Sequence, residues 1–393
     1  MRSYTVTCPD AFDAEDTADY LLTQLEAIEL CANSCALVFA EPEDECLECL
    51  GILHKKRPDI PFIGATSLAQ LSPKGYSRLG MTMLVLTADD CWFGLAGTDH
   101  LGENGPEKIK KVYAEALAQL GGKQPEGAFV FSSLTKSYTE QEKLALLDEL
   151  IGHKPVIGGI ASDEFKFAEK RVFVNGSILD DGYAVILIAG KFKPVVAVGG
   201  VPDKGLPRYR ITGSDGPVLK SIDDTPILEF LKNNDVNLES SEGLLFAPFS
   251  AVQGDSDENG QPVCRPLIDI DREQGTALSY VNMPQGSMVS FQIISAEDLK
   301  RTVEDAAQKV MDTIAASSAD YEYSSVFCIT CAGRHVVLAF EREYEADIAK
   351  KYFGNSMQYA GFYAFTEIGP TRIDADGYAS NHSHNLSVIF CAF

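Results

Sequence analysis

The sequence predicts a mixed α/β protein in two sheet-based domains, built from a repeated strand–helix–strand–strand unit. Three observations predict it. Apolar runs of strand length alternate with amphipathic stretches of helical period, the pattern of sheets covered by helices. One plan recurs three times around a glycine. The chain has 393 residues, beyond the ~100–200 of a typical single domain, and its composition of 45% hydrophobic and 23% charged residues is globular.

In the first unit Cys35 to Ala40 (CALVFA) reads as a buried strand and Glu43 to Lys56 as a helix. Pro61 to Ser67 (PFIGATS) reads as a short strand ending in a Gly-centred turn, and Leu79 to Thr87 as the closing strand. The second unit repeats this order. Ala128 to Ser132 is a strand, and Thr139 to Ile151 a helix with Leu144, Leu147, Leu150 and Ile151 at helical spacing. Thr139 and Glu142 form a capping box, each side chain meeting an orphan amide. Pro155 to Ala161 (PVIGGIA) is the turn, and Tyr183 to Ala189 closes.

Between the second and third units the pattern changes. Gly199 to Thr212 is rich in Gly and Pro and reads as a crossing between halves. Leu244 to Phe249, Val263 to Asp269, Thr276 to Val281 and Ser287 to Ile294 read as short strands. Ser295 to Ala315 is a long amphipathic helix, capped by Ser295 with Asp298 and apolar at Leu299, Val303, Ala306, Val310 and Ile314. In the third unit Val326 to Cys331 (VFCITC) is a strand and Glu343 to Phe353 a helix. Ala360 to Glu367 (AGFYAFTE) is the turn, and Asn385 to Phe393 closes. Aligning Gly64, Gly158 and Gly361 places Gln70, Glu164 and Glu367 at one position.

Charge narrows the partners. With 33 basic and 57 acidic residues the formal net charge is -24, which repels phosphate backbones and anionic membranes. The opening MRSYTVTCPDAFD has no apolar export core, and no run approaches 18 apolar residues. The expectation is a cytoplasmic protein with reduced cysteines, no cofactor, no nucleic acid and no membrane.

Several motifs invite a function and have a plainer reading. Cys31, Cys35, Cys46 and Cys49 have zinc-like spacing. Yet Cys46, Cys49, Leu50 and Leu53 share one helical face, and core packing is the reading preferred. Asp255, Asp257, Asn259 and Gly260 match half of a calcium loop, but its twelfth position is Pro266 instead of a bidentate carboxylate. A polar hairpin turn fits them better. No glycine-rich nucleotide signature and no G-x-S-x-G elbow occurs. His382 and His384 lie two apart and could share a metal, or simply sit at a solvated strand entry.

The most pointed constellation is in the third unit. Cys331-Ala-Gly-Arg334 sits where a buried strand leaves the sheet, Tyr363 and Glu367 lie beyond Gly361, and His384 and Asn385 precede the last strand. Strand ends of α/β sheets are where ligands usually dock. Arg334 offers a planar fork for a carboxylate, Glu367 an acceptor for an ammonium, and Asn385 both donates and accepts. Together they suit a zwitterion such as a free amino acid. The plainer alternative is an Arg334–Glu367 salt bridge stapling two loops. A third reading is an enzyme with Cys331 as nucleophile and His382 or His384 as base.

These residues also carry a family resemblance. CAGR (Cys331 to Arg334), GFYAFTEIGP (Gly361 to Pro370) and His384-Asn385 resemble the C-terminal half of FIST domains, named for F-box and intracellular signal transduction. PFIGATSLAQL (Pro61 to Leu71), PVIGGIASDEF (Pro155 to Phe165) and NGSILDDGYAVILI (Asn175 to Ile188) resemble the N-terminal half. The resemblance implies an N-terminal-like domain over 1–204 and a C-terminal-like domain over 205–393. It implies a sensory module for a small ligand such as an amino acid, signalling through a separate protein. It places Cys331, Arg334, Gly361, Glu367 and Asn385 on the family's motif positions. One departure is Ala69-Gln70, where the family pattern commonly has Gly-Glu.

Overall fold

The computed structural model describes residues 1–10, 13–135, 138–166, 170–202, 206–236, 238, 247–251, 263–279, 281–291, 294–317 and 321–393, with backbone alone at 247–251, 263 and 268. The calcium-like stretch Asp255 to Gly260 lies outside these residues.

The first unit runs β1 (Arg2–Cys8), α1 (Ala14–Glu26), β2 (Asn33–Ala40), α2 (Asp44–Lys56), β3 (Phe62–Thr66), the hairpin β4 (Gln70–Ser72) and β5 (Gly75–Ser77), and β6 (Met81–Ala88). The second repeats that order as β7 (Cys91–Thr98), α3 (Gly105–Gln119), β8 (Pro125–Ser132), α4 (Glu140–Ile151), β9 (Val156–Ile160), the hairpin β10 (Val172–Val174) and β11 (Ser177–Leu179), and β12 (Tyr183–Gly190).

The third opens with β13 (Val195–Gly199). A seven-stranded sheet is then inserted: β14 (Arg208–Asp215), β15 (Val218–Ile222), β16 (Thr225–Pro226), α5 (Ile227–Asn233), β17 (Ala247–Ala251), β18 (Val263–Asp271), β19 (Thr276–Ser279) and β20 (Met288–Phe291). The unit resumes with α6 (Ala296–Ala316), β21 (Ser325–Cys331), α7 (Ala332–Leu338), α8 (Tyr344–Phe353) and β22 (Gln358–Ala364). The hairpin β23 (Glu367–Ile373) and β24 (Ala379–His384) and the closing β25 (Val388–Ala392) complete it. The mixed α/β class and the repeated unit are as the sequence predicts. The described residues of the expected crossing at 199–212 include the end of β13 and the first half of β14.

Each unit forms its own mixed sheet, and each lends its hairpin to another. The sheet orders are β1-β6-β2-β3-β10-β11, β7-β12-β8-β9-β23-β24 and β13-β25-β21-β22-β4-β5. Unit 1 thus extends the sheet of unit 3, unit 2 that of unit 1, and unit 3 that of unit 2. Inward residues of the three leading strands meet in one core, with Phe39, Phe131 and Phe327 rings 5.5 to 6.2 Å apart. Helices cover the outer faces, α1 and α2 on the first sheet and α6 and α8 on the third. Both expected capping boxes form, Thr139 with Glu142 on α4 and Ser295 with Asp298 on α6.

The glycine at the centre of each unit is not in a turn. Gly64, Gly158 and Gly361 sit mid-strand, paired in parallel register with Val38, Val130 and Cys328. A Cβ there would stand 1.8, 1.7 and 2.4 Å from the facing carbonyl oxygen. The repeat needs glycine because two backbones approach too closely for any side chain. Pairing also corrects the alignment. Glu367 faces Gly159 and Gln70 faces Phe362, each one residue past the repeat glycine. In unit 2 that position belongs to Val172, which faces Ala65, not to Glu164. The connection after β9 is longer and carries Glu164 outward.

Candidate functional site

The parallel strands of each unit end at one place. Counting from the repeat pairing, Glu41, Ser133 and Cys331 are equivalent residues just past the leading strand or at its end. Their amides donate to the carbonyls of Gly80, Gly182 and Ser387, 2.8 to 3.1 Å away, just before each closing strand. Open α/β sheets present their binding crevices at such ends.

In unit 3 this position is a buried polar cluster. Glu367 has no exposed surface. Its Oε2 accepts from the Ser387 amide at 3.1 Å and the Ser387 hydroxyl at 2.7 Å, and the Cys331 thiol also bonds to the carboxyl. Glu367 Oε1 is buried without a partner among the described residues, and so is Asn385 Oδ1. Asn385 donates from Nδ2 to Thr366 Oγ1 at 3.2 Å. Burial pushes the Glu367 carboxyl up to about 8. Cys331 rises well above the usual thiol range for the same reason, with Glu367 adding to it.

His384 faces Glu367 across the β23–β24 pairing and donates from Nε2 to Gly369 O at 3.0 Å. Burial lowers it to about 3, so it is a neutral imidazole. Its ring lies 6.1 Å from that of His382. Both histidines belong to β24, a strand of its own, and the closing strand starts only at Val388.

The inserted sheet roofs this cluster. Arg265 of β18 donates to Ser383 O at 3.1 Å and to Cys264 O at 3.2 Å. Burial lowers its guanidinium to about 10. Cys264 and Leu386 pack together with Val201.

Arg334 belongs to a second cluster. Its partner is Glu345 of α8, with Nε donating to Oε1 at 2.6 Å, both side chains fully buried. Its other amines donate to Leu386 O, Leu299 O and Thr302 Oγ1 at 3.0 to 3.3 Å. No Arg334–Glu367 ion pair forms among the described residues. Instead Thr330 Oγ1 donates to Glu345 Oε2 at 2.7 Å. Unit 2 has the same device: Ser132 donates to Glu140 at 2.6 Å, and buried Lys143 pairs with Glu140 at 3.2 Å. Tyr363 lies on this side as well, edge-on to Tyr76 and His335. Gly361 sits mid-strand in close approach to Cys328.

The sequence-predicted residues therefore fall into two groups: Cys331, Glu367, His384 and Asn385 together, Arg334 and Tyr363 apart. Sequence reasoning missed Glu345, Ser387 and Arg265. Glu345 was within reach, because it shares the inner face of α8 with Ile348 and Ala349 at helical spacing. Arg265 was not, since nothing local ties β18 to β24.

Family models match both halves of the chain, a FIST N domain over residues 34–225 and a FIST C domain over residues 227–370. The chain belongs to the FIST family. FIST domains are sensory domains of signal transduction. No curated protein matches this sequence. Among solved structures, a cyanuric acid hydrolase from A. caulinodans is 10% identical over 99% of this chain and 98% of that one, with a TM-score of 0.37. A second cyanuric acid hydrolase structure, described as an evolutionary innovation by structural concatenation, gives the same identity and coverage at 0.33. Likenesses this weak transfer neither fold nor activity to this FIST protein. No helix among the described residues is long and apolar enough to cross a membrane, and no cluster of three or more His, Cys, Asp or Glu among them is placed to hold a metal ion.

Proposed function

We propose that this FIST protein is a cytoplasmic sensory module that binds a small ammonium-bearing ligand, an amino acid or related metabolite, at the Glu367–Asn385–Cys331 cluster. A separate signalling protein reads the result. One observation carries the reading: two acceptors, Glu367 Oε1 and Asn385 Oδ1, are buried without partners beside each other's loop. Burying such groups unpaired costs about 1–3 kcal/mol each; a bound ammonium would relieve that cost and take the place of the proton that burial holds on the Glu367 carboxyl. Because β18 roofs the cluster, entry requires the inserted sheet to shift, and that shift is a signal a partner can read. The cytoplasmic placement rests on ten free cysteines.

The enzyme reading draws little support. A thiol that burial holds protonated is a poor nucleophile, and His384, which burial lowers to about 3 and whose Nε2–H is given to Gly369 O, is a weak base for it.

A thermal-shift screen with free amino acids tests the proposal. A hit at 100 times its dissociation constant adds roughly 2.7 kcal/mol of stability. Glu367→Gln should abolish the response. An unresponsive wild type, or a hit that stabilises Glu367→Gln equally, rejects this site.

A further inference from the structure

Arg334 and Glu367 do not pair, yet a single peptide group joins them. Arg334 Nη1 donates to the Leu386 carbonyl at 3.2 Å, and the amide of the same peptide, on Ser387, donates to Glu367 Oε2 at 3.1 Å. The carbonyl and N–H of a trans peptide point opposite ways, so a cation on one side and a carboxyl on the other fix its plane. The backbone held there is strained. Leu386 has a φ of 52°, in the left-handed region that a leucine rarely enters. A residue keeps such a conformation only when its surroundings over-determine it.

The other two units show what is particular to unit 3. The residue just before each closing strand, Gly80, Gly182 or Ser387, gives its amide to a side-chain oxygen. The acceptors are Glu41 Oε1 at 2.7 Å, Ser133 Oγ at 3.0 Å and Glu367 Oε2 at 3.1 Å. The carbonyl one residue earlier is likewise bonded. Leu79 O accepts from the Ser77 hydroxyl, Asp181 O from the Leu101 amide and Leu386 O from Arg334. Among the described residues only unit 3 places a cation on that carbonyl, and of the three residues only Leu386 has a positive φ.

The Arg334 fork is itself anchored. Nε lies on Glu345 of α8 at 2.6 Å and Nη2 on Leu299 O of α6 at 3.0 Å, which aims Nη1 at Leu386. On the far side of the peptide, Glu367 Oε2 receives both the amide and the hydroxyl of Ser387, and Oε1 is left without a partner. We propose that Arg334 is a positioning residue for the Glu367 site: through the Leu386–Ser387 peptide it keeps both Ser387 donors on Oε2 and so leaves Oε1 as the oxygen that meets a ligand. The last step rests on Glu367 being the ligand-binding group. The Ser387 bonds and the Arg334 charge all favour the ionised carboxylate against burial. Loosening the peptide should therefore make Glu367 harder to ionise.

Carbon-13 NMR of the Glu367 side-chain carboxyl, assigned by its absence in Glu367→Gln, follows this ionisation in the full chain without ligand. The titratable and charged groups around Glu367 are Cys331 at the end of β21, Arg334 of α7, Cys264 of β18 and His384 of β24, with His382 and Arg265 beside His384. A residue-specific signal separates Glu367 from them. Arg334→Met combined with Glu345→Gln removes the buried pair together and strands no charge. It should raise the Glu367 midpoint by about one pH unit or more. Arg334→Lys keeps a charge for Glu345 but lacks the planar fork, and should raise it too. Glu345→Gln alone leaves Arg334 on Leu386 O and should titrate as wild type despite lower stability. A midpoint unchanged in both Arg334 variants, or raised as much in Glu345→Gln, overturns the proposal. The titration needs no ligand, so an amino-acid screen without hits would reject the ligand site while the role of Arg334 toward Glu367 is decided by the midpoints.

Discussion

Units 1 and 3 present the same strand ends in opposite states. At the first, Leu79 is exposed and the crevice is open. At the third, Leu386 is buried against Cys264 and Val201, and the inserted sheet closes the space. The polar groups differ accordingly. Unit 1 puts its carboxylate at the strand end (Glu41) and an amide at Gln70. Unit 3 puts a thiol at the strand end (Cys331) and the carboxylate at Glu367. One backbone framework thus supports two chemistries, and the difference is set by what covers each end.

The largest expected effect tests whether the unit 3 cation is structural. Arg334 is fully buried and depends on Glu345. Removing one partner of a buried pair typically costs about 3–5 kcal/mol. Glu345→Gln should lose that much in urea unfolding, and Glu140→Gln, in the equivalent place on α4, a similar amount. A loss below about 1 kcal/mol for Glu345→Gln would return Arg334 to the pool of ligand-binding groups.

Glycine substitutions come next. Forcing a methyl against a packed backbone costs about 1–3 kcal/mol or more. Gly64→Ala and Gly158→Ala should be more damaging than Gly361→Ala, because the facing carbonyl is nearer, 1.8 and 1.7 Å against 2.4 Å. Thermal denaturation checks the order. The reverse order would mean that the three strand pairs are not equivalent.

The smallest effect is on pH dependence. Glu367 is raised by burial from 4.5 to about 8, so the folded chain holds a proton that the unfolded chain gives up. Its contribution to stability is present below pH 4.5 and is lost as pH rises to about 8. His384 is lowered from 6.5 to about 3 and works the other way, adding stability as pH rises through that range. In the interval from 6.5 to 8 the His384 contribution levels off while that of Glu367 is still being lost. Urea midpoints should fall across it in wild type and stay flatter in Glu367→Gln. Burial raises Glu41 as well, and Glu41→Gln should change the slope less, since unit 1 is open to water. An unchanged slope in Glu367→Gln would remove the buried carboxyl from the comparison.

Local signals carried much of the fold. The strands CALVFA, AFVFS and VFCITC were legible because a strand buried on both faces is apolar throughout. The helices and their caps were legible because the 3.6 period and the Thr139–Glu142 and Ser295–Asp298 pairs act within a few residues. The repeat glycines were found for a wrong reason: the sequence marks where glycine is required, but a turn and a close strand approach leave the same mark. Glu164 was misaligned because spacing from Gly158 does not reveal a longer connection.

The sequence by itself determined the class and the threefold repeat, since these follow from local period; the site it expected joined Arg334 to Glu367 and Asn385. Only the tertiary structure decided that hairpins are exchanged among sheets, that Arg334 pairs with Glu345, and that one strand end is roofed while another is open. Those outcomes depend on groups distant in the chain, Arg265 on Ser383 and Arg78 on Glu164. The partner of a buried charge is chosen by which elements pack together, and no local pattern encodes that choice.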